Sequence, residues 1–264
     1  MPFPPASRVI YQNNPLDRVI CQLRFPPILK IDTEIPAEFQ NRIRNQFPNF
    51  SETLGFKVEL PDAMKGAIPP EILEQVTQSS GKKNYEFISE DGHWKINLTR
   101  TFMALTAYKY KRWEEFKEKL STLLYSLIDI YAPSYYSRIG LRYVNVINRS
   151  VLHLEDVSWS ELLQPYILGL VGSSELHNHI KGLECKYEVG LSDGESVARI
   201  VTMFVQATKN NETCFMIDND FFSENKTTIE SAIDKLDYFN ERSSRLIQWC
   251  ITKRLHQAME PQTL

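Results

Sequence analysis

At 264 residues, with 42% hydrophobic and 24% charged residues, the chain can fold around its own core without a disulfide or a structural metal. Its formal charge of −3 excludes a uniformly basic nucleic-acid binder and leaves only local basic patches. No apolar run approaches the roughly 20 residues of a membrane-spanning helix, and the first eight residues carry three prolines in place of a signal-peptide core, so a cytoplasmic protein is expected.

Residues 1–17 read as an irregular arm, because Pro4-Pro5 and Asn13-Asn14-Pro15 oppose regular structure. Residues 19–25 alternate, with Cys21, Leu23 and Phe25 on one side and Gln22 and Arg24 on the other, which predicts a half-buried strand ended by Pro26-Pro27. A helix begins at Pro36, carries Phe39, Ile43 and Phe47 as one stripe, and stops at Pro48. A short strand at 56–60 leads into an irregular excursion at 61–83 with a helical turn near 71–76. A meander follows: Tyr85 and Phe87 face one way, Glu90-Asp91-Gly92 turns the chain, and Trp94, Ile96 and Leu98 alternate before a third strand at 102–110. Trp113, Phe116, Leu120, Leu123, Leu124, Leu127 and Tyr131 stripe a helix that Pro133 ends.

The second half repeats this order. Ile139, Leu141 and Tyr143 alternate with Arg138, Gly140 and Arg142; a helix follows near 159–163; strands at 182–191, 196–207 and 212–220 are joined by turns at Asp193-Gly194 and Asn210-Asn211. A helical tail spans about 227–259, and its polar middle, 240–244, marks a place for a bend or break. The four cysteines, Cys21, Cys185, Cys214 and Cys250, form no close pair and sit in apolar runs, as buried free thiols do.

Two distant matches point to a duplication. Residues 21–25 match 139–143 at an offset of 118, with arginine between leucine and an aromatic in both, and residues 116–120 match 232–236 at an offset of 116. The expected fold is therefore α+β: an arm (1–17) and two β-α-β(3–4)-α units (18–133 and 134–264) packed as one body, with an antiparallel sheet and long helices on one face. Such units resemble the helix-grip and TATA-binding-protein-like architectures, whose free sheet face is available to bind something.

The chain also resembles a sporadically distributed bacterial protein family of about 260 residues. The resemblance rests on Tyr11-Gln12-Asn13-Asn14-Pro15-Leu16, on the strand from Val19 through Leu23-Arg24-Phe25-Pro26, and on Ile139-Gly140-Leu141-Arg142-Tyr143-Val144-Asn145-Val146-Ile147. It implies no reaction, cofactor or catalytic residue; patchy distribution implies an accessory role in defence or stress.

Strand parity places Arg24 and Arg142 on the face away from the core. Related by a twofold axis, they would converge on one phosphate or carboxylate, with Asn145 and Asn148 nearby. The structural alternatives are cross-strand salt bridges, for example to Glu86 or Glu188, and turn-forming asparagines. The sequence thus points to a non-enzymatic protein binding an anionic small molecule or a partner protein through Arg24, Arg142 and Asn145, without a cofactor or membrane. Dimerisation through sheet edges or the terminal helix is part of that expectation. A metal-dependent hydrolase or nuclease using Asp218 and Asp220, with His177 or His179, is the alternative, although no phosphate-binding loop or GxSxG elbow is present. The basic–aromatic stretch at 108–113 raises nucleic-acid binding, but Glu114, Glu115 and Glu118 follow at once and blunt the field.

Overall fold

The computed structural model describes residues 2–54, 83–176, 179–207 and 210–263. The expected strand at 56–60, the excursion at 61–82 and His177 lie outside the described residues. In chain order the elements are β1 (Val9–Tyr11), β2 (Leu16–Arg24), α1 (Leu29–Thr33), α2 (Ala37–Ile43), β3 (Asn49–Leu54), β4 (Lys83–Ile88), β5 (Trp94–Thr99), β6 (Phe102–Ala107) and α3 (Trp113–Tyr131). There follow β7 (Arg138–Ile147), α4 (Trp159–Leu162), α5 (Pro165–Leu168), β8 (Glu184–Gly190), β9 (Val197–Gln206), β10 (Thr213–Ser223), α6 (Ala232–Cys250), α7 (Lys253–Ala258) and β11 (Pro261–Thr263). The fold is α+β, and both halves enter one nine-stranded antiparallel sheet of order β3-β4-β5-β6-β2-β7-β10-β9-β8.

The odd-numbered residues of β2 and β7 (Val19, Cys21, Leu23, Ile139, Leu141, Tyr143) belong to the main core. Ile31 of α1, Phe39 of α2, Phe116 of α3, Leu162 of α4, Leu236 of α6 and Leu255 of α7 join the same core. The helices therefore cover one face, and burial of each large side chain there contributes roughly 1.5–3 kcal/mol. Gly92 and Gly194, at φ +71° and +72°, make the hairpin turns that the sequence placed there.

Two expectations need correction. The N-terminal arm is not wholly irregular: β1 pairs with β11, Phe3 is buried against Phe221 and Trp249, and β2 already begins at Leu16. The terminal helix does not break at 240–244. No glycine or proline interrupts it, Glu241 and Arg245 form an i,i+4 ion pair, and Ser243 Oγ donates to Asn219 Oδ1 at 2.9 Å. The chain turns only after Cys250, where Thr252 caps α7.

Cys21, Cys214 and Cys250 are buried, whereas Cys185, on the edge strand β8, is only partly covered. Burial pushes the Cys214 thiol up to about 11 and Cys250 up to about 12. Both remain protonated at pH 8, and the thiolate is the reactive form. Titration of the native protein with a thiol-reactive disulfide at pH 8 is expected to consume one fast equivalent, at Cys185. The other three should react only after denaturant is added; four fast equivalents in the native state would contradict this packing.

Candidate functional site

Arg24 and Arg142 share the sheet face away from the helices, but they do not meet. Arg24 lies opposite Arg138, and Arg142 lies opposite Ile20. Four residues of strand separate the two positions, roughly 13 Å at about 3.4 Å per residue. Arg142 instead binds Asp218 with both arms of its fork, Nε reaching Oδ1 at 2.8 Å. Arg138 donates to Asp220 Oδ2 at 2.7 Å and lies over the Phe222 ring at 4.8 Å. Arg24 Nε donates to Gln22 Oε1 at 3.0 Å, and the same oxygen accepts from Arg138 at 3.3 Å. Gly140 lets Arg138 lie this close to the backbone, since a Cβ there would stand 2.4 Å from Arg138 Nη1.

This face is a band of cross-strand pairs. Lys95 binds Glu86 at 3.0 Å and Arg199 binds Glu188 at 3.0 Å. The acids named as structural partners for Arg24 and Arg142 thus serve other cations. Asp218 and Asp220, named for a metal, hold arginines, and among the described residues no group of three or more His, Cys, Asp or Glu is placed to hold an ion. His179 is exposed. Asn148 Oδ1 accepts from Ser150 Oγ at 2.8 Å and from Val151 N at 3.1 Å, the turn-forming role.

Asn145 departs from the arginines. Its odd position turns it to the helix side, opposite Arg142, because successive strand residues alternate faces. There it lines a cavity of about 340 Å³ enclosed by the arm, the start of α3 and the middle of α6. Tyr143 and Asn145 of β7 line it from the sheet; Tyr110, Lys111, Arg112 and Trp113 lead into α3; Asn240, Glu241, Ser243 and Arg245 line it from α6. The arm contributes Arg8 and Tyr11, among others.

The walls are fixed from behind. Trp113 Nε1 and Lys117 Nζ both donate to Asp237 of α6, at 2.6 and 2.7 Å, which ties the two long helices together. Tyr143 OH donates to Asn240 Oδ1 at 2.8 Å. The arm is held by β1–β11 pairing, by Gln248 Nε2 donating to the Ser7 carbonyl at 3.0 Å, and by the Arg8–Glu114 ion pair. Tyr11 OH lies 2.8 Å from His256 Nδ1.

The electrostatics favour an anion. Four basic side chains (Arg8, Lys111, Arg112, Arg245) line the cavity against one acid, Glu241. That acid is already shared by Arg242 and Arg245. Lys111 and Arg112 form no ion pair among the described residues, although Glu114, bound by Arg8, lies in the field of Arg112. Arg112 is the N-cap of the 19-residue α3 and makes no side-chain cap, so the start of that helix lies beside the cavity, its positive end partly offset by Glu114 and Glu115 in the first turn. Burial pushes the hydroxyls of Tyr11, Tyr110 and Tyr143 above their ordinary value, so no phenolate offsets the cations near neutrality.

Of the residues singled out from sequence, the cavity gathers Asn145 and part of the 108–113 stretch, and leaves Arg24 and Arg142 on the other face. Sequence reasoning missed Arg8, Arg245, Asn240 and Tyr143. The signal was the polar run at 240–244 in an otherwise amphipathic helix: a run of polar residues that does not break a helix needs something polar to face. No protein-family model and no curated protein matches this chain.

Proposed function

We propose that this is a non-enzymatic binding protein that holds a small anionic ligand in the cavity between the arm, α3 and α6. The observation that carries this reading is the lining itself: around about 340 Å³, Arg8 and Arg245 are held by Glu114 and Glu241, whereas Lys111 and Arg112 have no ion pair among the described residues. That volume lies at the lower end of the range for small-molecule sites. Guanidinium, ammonium and the open N–H groups of a helix start are the usual partners of oxyanions.

The same reading takes the fold as a duplicated unit of the helix-grip or TATA-binding-protein-like kind. The strand order supports it: outward from the central β2–β7 pair run β6-β5-β4 on one side and β10-β9-β8 on the other. Register supports it too. Cys21 pairs with Leu141 and Leu23 with Ile139, and the 118-residue offset exchanges these two pairs, which would place Gln22–Gly140 on the axis. At an offset of 116, buried Phe116, Leu120, Leu123 and Leu127 of α3 correspond to buried Ala232, Leu236, Phe239 and Ser243 of α6.

The test is native mass spectrometry of gently purified protein, wild type beside Lys111→Ala/Arg112→Ala. Both residues are exposed, so the fold should tolerate the change within about 0.5 kcal/mol. The wild type is expected to carry one anionic adduct that denaturation releases, and the variant to lose it. Two charge-assisted bonds of about 1.5–3 kcal/mol each correspond to an affinity loss on the order of 100-fold or more. Wild-type protein that carries no adduct, and that phosphates, carboxylates and sulfates at millimolar concentration fail to stabilise, would overturn the reading.

A further inference from the structure

The lining divides into two chemically different parts, and together they define a ligand class; the inference rests on the anion-binding reading above. One group is Lys111, Arg112 and the start of α3. Two cations without ion pairs among the described residues match a doubly charged group better than a carboxylate, and a phosphomonoester carries about −1.5 to −2 at pH 7. The second group is a pair of asparagines with complementary unused atoms. Asn145 is 4% exposed and gives its Nδ2 to the Ile217 carbonyl at 3.3 Å, which leaves its carbonyl oxygen without a protein donor among the described residues. Asn240 takes the Tyr143 hydroxyl on Oδ1, which leaves its Nδ2 as a donor.

The Asn145 amide oxygen, in the cavity lining, can accept from a ligand donor in place of water. An acceptor on Asn145 and a donor on Asn240 suit the edge of a planar heterocycle that carries its own donor and acceptor, as the nucleobases do. Tyr11 and Tyr110, both in the lining, offer aromatic surface for such a ring. We propose that the ligand is a nucleoside monophosphate, its phosphate at Lys111, Arg112 and the α3 start and its base against Asn145 and Asn240.

Isothermal titration of the full chain with the four common ribonucleoside monophosphates tests this, with adenosine, ribose 5-phosphate, inorganic phosphate and 4-hydroxybenzoate as controls. At least one nucleotide is expected to bind 10-fold or more tighter than ribose 5-phosphate and than adenosine. Lys111→Ala/Arg112→Ala should weaken that nucleotide on the order of 100-fold or more and leave adenosine unchanged. Asn240→Ser, and Asn145→Ser where its thermal melt stays cooperative, should bring the four nucleotides within about threefold of one another. Ribose 5-phosphate binding as tightly as every nucleotide, or 4-hydroxybenzoate alone binding, would overturn the nucleotide assignment and leave the anion cavity standing. No binding by any anion in the panel, together with no bound anion on the purified protein, would overturn both.

Discussion

Replacing Arg142 by alanine is expected to cost about 3–5 kcal/mol of stability and to leave anion binding in the cavity intact. The reason is Asp218, whose side chain is only 7% exposed and lies between Val144 and Val201 on the neighbouring strands. Arg142 holds this carboxylate with both arms of its fork, and removing the guanidinium leaves a nearly buried charge among apolar neighbours. Arg142→Met/Asp218→Leu removes both charges and should recover most of the loss, since a buried pair replaced by apolar residues is often close to neutral. Arg24 makes the contrast. Its hydrogen bond goes to the neutral Gln22 amide, so Arg24→Ala should cost only about 1 kcal/mol. Urea unfolding followed by circular dichroism measures all three. An Arg142→Ala variant as stable as wild type but unable to bind the ligand would place the site on the wrong face.

Phe116→Ala should be comparably destabilising, by about 3–5 kcal/mol. Phe116 is fully buried and stacks on Trp113 at 5.7 Å, with Trp94 at 5.7 Å and Tyr110 at 6.1 Å around it. The void left behind would loosen Tyr110 and Trp113, which line the cavity between the arm, α3 and α6, and would shift the start of α3. Anion affinity should therefore fall on the order of tenfold as well, although Phe116 itself is not part of the lining. Phe116→Leu, which keeps more of the volume, should cost about 1–2 kcal/mol and leave affinity within about twofold. Stability loss without any change in affinity would uncouple the aromatic cluster from the cavity.

Local chemistry made much of the framework legible. The stripe from Trp113 to Leu127 and the positive-φ glycines at the Glu90-Asp91-Gly92 and Asp193-Gly194 turns follow from steric preferences that act within a few residues. The alternation through Cys21-Leu23-Phe25 and Ile139-Leu141-Tyr143 likewise fixed which face of the sheet is apolar. Parity alone was enough to put Arg24 and Arg142 on one face and, applied to Asn145, enough to put it on the other.

What the sequence could not decide was the partner of each polar group, because partners come from elements far apart in the chain. Arg142 meets Asp218 across 76 residues, and Gln248 reaches Ser7 across 241. β1 forms only because β11 lies beside it, so the arm's prolines gave no hint of its pairing. The run 240–244 looked like a helix break, since polar residues on a buried face ordinarily oppose burial; in the fold they meet Tyr143, Asn219 and an open cavity. Sequence determined the framework and the sidedness of its charges, through forces of short range. Tertiary structure alone decided which of those charges cancel and which line the cavity, because that depends on register and helix placement over the whole chain.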